Sequence, residues 1–430
     1  MAPEHHLAVP SGEPPRGRPD HDVDVCVVGA GPVGATLACR LAAGGVSVAV
    51  VDRAALPPME HPDFDGRAYA IAAGSRRLLE AAGVWQRLPR RSCPIEGIRV
   101  SDGRPGQAAS PLFLHFEQPA PGEPFGWMTE ARHLRMALND ALHASPLIRL
   151  HAPDQAHVAR DADGVRIVTG SGQDVRARLV VAAEGRESPL RAEAGIAVTR
   201  FPYRQTGIVT AIAHERPHNN LALEHFLPGG PFAQLPMQGG EAGADFPAAN
   251  LSAANLSAAN LSAIVWTERE PLATRLAALD EAGFTRELQR RLGWHLGPVR
   301  PVGRRWTYRL GALHAHRYVA ERLALVGDAA HGIHPIAGQG LNLGFRDVAA
   351  LAALVVEAVA LGEDPGAPDL LARYQAARRP ANLAMLAATD VLDRLFSSDN
   401  PALRLARGLG IGAVHRMPRL KRAFVTQAMG

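Results

Sequence analysis

VDVCVVGAGPVGATLACRLAAGGVSVAVVDR, residues 23–53, decides how the folded part of the chain begins. Val23 to Val28 is a largely β-branched run, as expected of a strand buried on both faces of a parallel sheet. Gly29, Gly31 and Gly34 follow in a GxGxxG spacing, with Pro32 and Val33 between them. Leu37, Ala38, Leu41 and Ala42 then recur at helical spacing, and Val46 to Val51 forms a second strand that ends at Asp52 and Arg53. Gly29 permits the tight turn, Gly31 lets the backbone approach a pyrophosphate, and Gly34 allows close helix–strand packing. The phosphates would sit on free N–H groups at the helix N-terminus, favoured by its dipole. Asp52, roughly 20 residues past the glycines, can accept hydrogen bonds from ribose hydroxyls. Strand, loop, helix, strand and acid stand in register, and together they predict a dinucleotide site.

Around this segment the chain has an ordinary globular composition. Its 430 residues allow two or three folding units at roughly 150 residues each. Hydrophobic residues make up 47% and charged residues 20%, which excludes collagen, coiled coil and wholesale disorder. Forty-six basic and forty-two acidic residues leave a net charge of +4, with the arginines scattered among acids, so no nucleic-acid partner is expected. Cys26, Cys39 and Cys93 form no CxxC pair and no zinc spacing, Cys26 and Cys39 read as buried and inert, and the low count fits a reducing compartment. His331 and His334 lack a third ligand at sensible spacing, so no metal is expected. Residues 1–21 are rich in Pro, Gly and His without an apolar core, and read as a disordered tail. No run approaches the roughly 20 apolar residues of a membrane span, and the chain reads as cytoplasmic.

Residues 325–347, LVGDAAHGIHPIAGQGLNLGFRD, carry the second decisive motif. A short strand, Leu323 to Val326, ends at Gly327-Asp328, at the carboxyl edge where ligands of open α/β sheets bind. Gly338, Gly340 and Gly344 allow close backbone approach, and a helix from about Leu341 to Leu361 presents its N-terminus there. This motif resembles the second flavin motif of the class A flavoprotein aromatic hydroxylases. Together with FDGRAYAIAAGSRRLLEAAGVW (64–85) and the terminal AMG, it is similar to the ubiquinone-biosynthesis hydroxylases, the 2-polyprenyl-6-methoxyphenol hydroxylase-like family. The likeness runs from about Val23 to Gly430, apart from one insert.

That resemblance implies an α/β fold like that of para-hydroxybenzoate hydroxylase: a Rossmann-like FAD-binding domain, an inserted antiparallel-sheet substrate domain and a C-terminal helical segment. It implies FAD as cofactor, NAD(P)H and O2 as co-substrates, and a polyprenylated phenol as substrate. Asp328 matches the aspartate on the ribityl chain, and Gly338, Gln339, Gly340, Leu341 and Asn342, with Gly327 and Pro335, match the loop around the flavin ring. A positive helix end there would stabilise negative charge on the reduced ring. Arg67 matches an arginine expected to reach the FAD phosphates or ribose, and Arg132 lies where relatives place a flavin-contacting polar residue, although a helix-surface arginine fits equally. Glu184 departs from the usual Asp-Gly, which puts the nicotinamide role of that position in doubt. His334 could orient substrate or water, against a structural histidine as the alternative. No catalytic base is legible.

The flavin domain is expected at 22–95, 127–198 and 303–360, the substrate domain at 96–126 and 199–302, and helices at 361–430. LEHFLPGGPFAQLP (223–236) should line the substrate side, and it offers no arginine for an aromatic acid, only His225. AANLS occurs three times over 248–262 and reads as a tolerated surface-loop insertion. No second GxGxxG is followed by a helix and strand, so the reductant has no nucleotide domain of its own. The C-terminal segment is basic at its end (Arg404, Arg407, Arg416, Arg419, Lys421, Arg422). It could dock on the inner-membrane surface or on other ubiquinone-biosynthesis proteins, or pack on the core. Two rival readings stand beside the phenol hydroxylase: a hydroxylase of a soluble aromatic compound, and a flavin-binding scaffold without turnover.

Overall fold

The computed structural model describes residues 21–56, 66–88, 92–107, 113–118, 120, 122–239, 260–335 and 338–396. Val23–Val28 (β1) lies inside an eight-stranded sheet because its side chains are apolar on both faces, and Val25, Cys26 and Val27 are fully buried. Val48–Val51 (β2), Ile148–His151 (β8), Asp174–Ala182 (β11) and Leu323–Leu325 (β18) run parallel to it in the order β18-β11-β1-β2-β8. Val319–Ala320 (β17) pairs with β18, Val165–Thr169 (β10) with β11, and Ala156–Arg160 (β9) with β10, all antiparallel. Pro32–Ala42 (α1) packs against Ala131–Ala144 (α3) and Gln339–Ala360 (α7), and their apolar faces close one continuous core with the sheet.

A second eight-stranded sheet stands against the first. Its order is His331–Gly332 (β19), Val299–Ala315 (β16), Val198–His214 (β12), Leu261–Arg269 (β15), Gly230–Met237 (β14), Leu221–Leu227 (β13), Gly97–Asp102 (β5) and Phe113–Glu117 (β6). All its pairings are antiparallel except β13 with β5. Alternation sends Ile208, Phe232, Ile264 and Trp266 to one face, where Glu270–Ala277 (α5) and Glu281–Leu292 (α6) cover them with Leu276, Phe284 and Leu288. On the other face Ala211, Ala222, Met237, Leu261 and Ala263 pack against Cys93, Ile95, Phe125 and Met128. Ala68–Ala72 (β3), Gly126–Glu130 (β7) and Cys93–Ile95 (β4) form a third, small sheet, and Ala73–Ala81 (α2) follows β3 directly. Pro189–Glu193 (α4) follows the β11 loop, and Pro368–Phe396 (α8) returns across the molecule, its buried Tyr374 hydroxyl donating to Leu325 O at 2.7 Å.

Two boundaries differ from the sequence reading. The expected division at 302/303 falls inside β16, a continuous 17-residue strand. The third AANLS copy is also not a surface loop at its end, because Asn260, Leu261 and Ser262 are buried at the start of β15. Leu261 pairs with Met237 and Ala213 on the neighbouring strands, and the Ser262 hydroxyl meets His214 Nε2 and Gln234 Nε2, each at 2.9 Å. Residues 1–20, the rest of the repeat and the basic end of the C-terminal segment lie outside the described residues. Cys26, Cys39 and Cys93 are all buried thiols, each pushed up to about 12 by burial.

Candidate active site

One cavity of about 1160 Å³ runs between the two large sheets, above the roughly 300–1,000 Å³ of ordinary small-molecule sites. Its nucleotide end is the turn between β1 and α1. Gly29 adopts φ +104° there, a conformation that favours glycine. A Cβ at Gly34 would clash with Gly29 O, so α1 can approach β1 only with glycine at that position. A Cβ at Gly31 would meet nothing within 4 Å, and Gly31, Pro32 and Val33 form the cavity wall. The α1 N-terminus has no side-chain cap and no acid in its first turn, which leaves its N–H groups for a ligand. At the end of β2, Asp52 accepts from Ala30 N at 2.6 Å through one carboxylate oxygen and from Ala54 N at 2.8 Å through the other. Each oxygen keeps a further lone pair for a hydroxyl. Arg53 lines the wall beside it.

The second helix N-terminus belongs to α7. Its N-cap, Gly338, sits in the left-handed region at φ +63° without a side-chain cap, and Pro335, Gly338, Gly340 and Leu341 line the cavity. Gly327 and Asp328 reach the same space from the end of β18. Desolvation within the cavity raises the Asp328 carboxyl above its ordinary value, countered only in part by the Arg186 guanidinium, whose Nε lies 4.0 Å from Oδ2, and by His331. Arg191 is buried and donates to Ala329 O at 2.9 Å and Arg186 O at 2.8 Å, fastening the β11 loop to the Asp328 loop. Glu184 lines the wall as well, but its carboxylate is engaged by Ser188 Oγ (2.5 Å) and Leu190 N (3.3 Å), and burial raises its pKa.

Several residues expected at the site stand elsewhere. The Arg67 guanidinium lies over the Trp306 ring, 4.5 Å from its centroid, and Arg132 pairs with Glu130 at 2.7 Å; neither lines the cavity. Arg135, one turn further along α3, does. Asn342 is fully turned to protein, accepting from Ala72 N at 2.9 Å and donating to Ala70 O at 2.9 Å, so it ties the β3 edge to α7. Gln339 is also absent from the wall. His334 is buried behind it, with Nε2 at 3.3 Å from Gln205 Oε1 and 3.6 Å from Asp393 Oδ1, where α8 covers it. His331 turns to a different partner, Asp347, at 2.5 Å.

The substrate end is the open face of the second sheet. Val209, Pro231, Ala233, Leu235, Val265 and Thr267 line it, and Glu224 stands among them. His225, on the opposite face of β13, meets Ser101 Oγ at 2.8 Å and is pushed down to about 4 by burial.

A family described as FAD binding domain matches residues 22–389. Over 427 residues the chain is 50% identical to ubiquinone hydroxylase UbiL of Rhodospirillum rubrum, spanning 98% of this chain and 94% of that protein. The chain belongs to the FAD-dependent hydroxylases of ubiquinone biosynthesis. This hydroxylase is also 33% identical over 412 residues to 3-demethoxyubiquinol 3-hydroxylase of Escherichia coli, spanning 95% and 98% of the two chains. Its fold is shared with PqsL of Pseudomonas aeruginosa (TM-score 0.70, 24% identity, 92% and 100% covered). It is shared equally with p-nitrophenol 4-monooxygenase PnpA of Pseudomonas putida (TM-score 0.72, 19% identity, 95% and 98% covered). As an FAD-dependent monooxygenase the hydroxylase has a cavity that fits its cofactor. Two uncapped helix N-termini, two acids placed to take hydroxyls, and backbone open to the cavity at Gly31 and Gly340 match an anionic dinucleotide with a polyol chain.

Two functional features were missed in the sequence. Glu224 was legible, since period-two alternation in LALEHFL puts it on the face of Ala222 and Phe226. Asp347 closes the second motif, but its partners come from α8 and from the Gly327 loop, which no spacing foretells.

Proposed function

We propose that this hydroxylase inserts one oxygen atom of O2 into the ring of a polyprenylated phenol on the route to ubiquinone, with NAD(P)H as reductant. The observation that carries the reading is the cavity that leads from two uncapped helix N-termini to an apolar sheet face. FAD, when bound, supplies the two-electron chemistry that NAD(P)H and O2 require. The N–H groups of α1 would hold its pyrophosphate, Asp52 its ribose and Asp328 its ribityl chain. The α7 N-terminus would place a positive end at the ring. Val209, Pro231, Ala233, Leu235 and Val265 present an apolar wall that suits a prenylated ring and excludes water from it. An aromatic acid is disfavoured here, because its carboxylate would face Glu224. Arg309 of the lining is largely exposed and pairs with Glu270 at 2.9 Å.

Lipid extraction and mass spectrometry of quinones from a strain lacking the gene test the reading. Loss of ubiquinone with build-up of one under-hydroxylated prenyl phenol is the expected result, and that phenol identifies the ring position. Unchanged ubiquinone, with no such phenol, would contradict it.

A further inference from the structure

We infer that Glu224 holds the ring hydroxyl of the substrate and takes its proton as the ring is oxygenated, an inference that rests on the phenol-hydroxylase reading above. The geometry begins with strand register. Glu224 lies opposite Ala233, Ala233 opposite Val265, and Val265 opposite Val209, so the four form one straight row across β13, β14, β15 and β12. All four line the cavity. The row is apolar until its last member, and its neighbour Ala233 is small enough to leave space over the carboxylate. Pro231 and Leu235 flank Ala233 on the same wall, and Val100 stands opposite Glu224 on β5.

Among the described residues Glu224 has no hydrogen-bond or ion-pair partner, although it is only 8% exposed. Other acids of the same wall are engaged: Asp52 by Ala30 and Ala54, Glu184 by Ser188 and Leu190, Glu187 by Arg200, Asp154 by Ser171. A buried carboxyl without a partner is destabilising, and a ligand hydroxyl against this wall would satisfy it. Of the charged and titratable groups on the neighbouring elements, Tyr308 and Arg309 from β16 line the cavity, whereas Asp393 of α8 lies behind the wall beside His334 and Gln205. Burial alone pushes the Glu224 carboxyl up to about 7, near the working pH of an effective proton acceptor.

In the step, the ring O–H bond breaks, the proton passes to a Glu224 carboxylate oxygen, and the electron pair stays on the ring oxygen. Its delocalisation makes the ortho and para carbons nucleophilic towards the oxygen atom derived from O2. The attacked carbon then releases its hydrogen as a proton, the ring oxygen regains one from Glu224, and the carboxylate is restored. The second oxygen atom leaves as water, its two electrons and one proton coming from the hydride of NAD(P)H and its second proton from solvent.

The test uses the FAD-loaded full chain, a short-chain prenyl phenol and the same phenol as its methyl ether. Glu224→Gln should retain FAD and melting temperature while kcat falls about 10²- to 10⁴-fold. The wild type should gain kcat/KM with rising pH through about 7, and the variant should lose that limb. The methyl ether should cost the wild type as much as the substitution does, and cost Glu224→Gln little more. This comparison of substrates within each protein reads the contact even if the variant is poorly loaded. A Glu224→Gln enzyme with wild-type kcat and the same pH limb overturns the inference while leaving the hydroxylase reading intact. A wild type that leaves the phenol unhydroxylated overturns both.

Discussion

Gly31 and Gly34 lie three residues apart and should fail in different ways when changed to alanine. At Gly34 the added methyl meets Gly29 O and lies 2.9 Å from Ala183 Cβ, so α1 must shift from β1. Gly34→Ala is expected to lower stability by about 1–3 kcal/mol and to reduce bound FAD. At Gly31 the methyl meets nothing within 4 Å, so Gly31→Ala should keep the melting temperature of the apoprotein and lose FAD by blocking the close approach. Melting the apoproteins and measuring flavin absorbance per chain separates the two, and a Gly31→Ala protein with full FAD would contradict the assignment. The glycines were legible because their constraint is local. Arg132 and Arg135 were not separable in sequence, since one turn of α3 puts one on Glu130 and the other on the cavity. The side-chain partners of Asn342 could not be read in sequence, because the backbone groups it binds, at Ala70 and Ala72, lie about 270 positions away.

Elements are held around the site by a buried knot on α7. Asp347 is fully buried and takes Gly327 N at 3.1 Å, His331 Nε2 at 2.5 Å, Arg378 Nε at 2.9 Å and Asn382 Nδ2 at 3.0 Å. It thereby joins α7, α8 and the loop that carries Asp328. Burial alone would raise its carboxyl, but His331, Arg378 and Asn382 hold it below the ordinary value. A depressed carboxyl contributes its stability above the unfolded value of about 3.9 and loses it as pH falls through the folded value. Asp347→Ala should cost about 3 kcal/mol by leaving the part-buried Arg378 guanidinium, and the Gly327 and Asn382 donors, without their partner, and it should weaken the acid limb of the stability profile. Thermal melts at neutral and acid pH check both, and an unchanged profile would contradict this role. The α7 start was visible in its glycine pattern. The small β3-β7-β4 sheet was not, because strands of three to five residues carry too little periodicity.

Across the whole molecule, the parallel sheet, the second sheet and α7 meet at one cavity. The two motifs made the nucleotide half legible, since phosphate and polyol binding need particular residues at particular spacings. The substrate half was legible only as an apolar expectation for 223–236, because its wall is assembled from β12, β13, β14, β15 and β16, joined by register rather than by sequence distance. The central claim is that FAD chemistry and the apolar wall act on one bound ring. The FAD-loaded protein incubated with a prenyl phenol, NAD(P)H and ¹⁸O2 tests it most directly. One labelled oxygen atom in the ring for each NAD(P)H consumed is the expected result. NAD(P)H oxidation with no label in the phenol, or a ring oxygen drawn from water, would contradict the account.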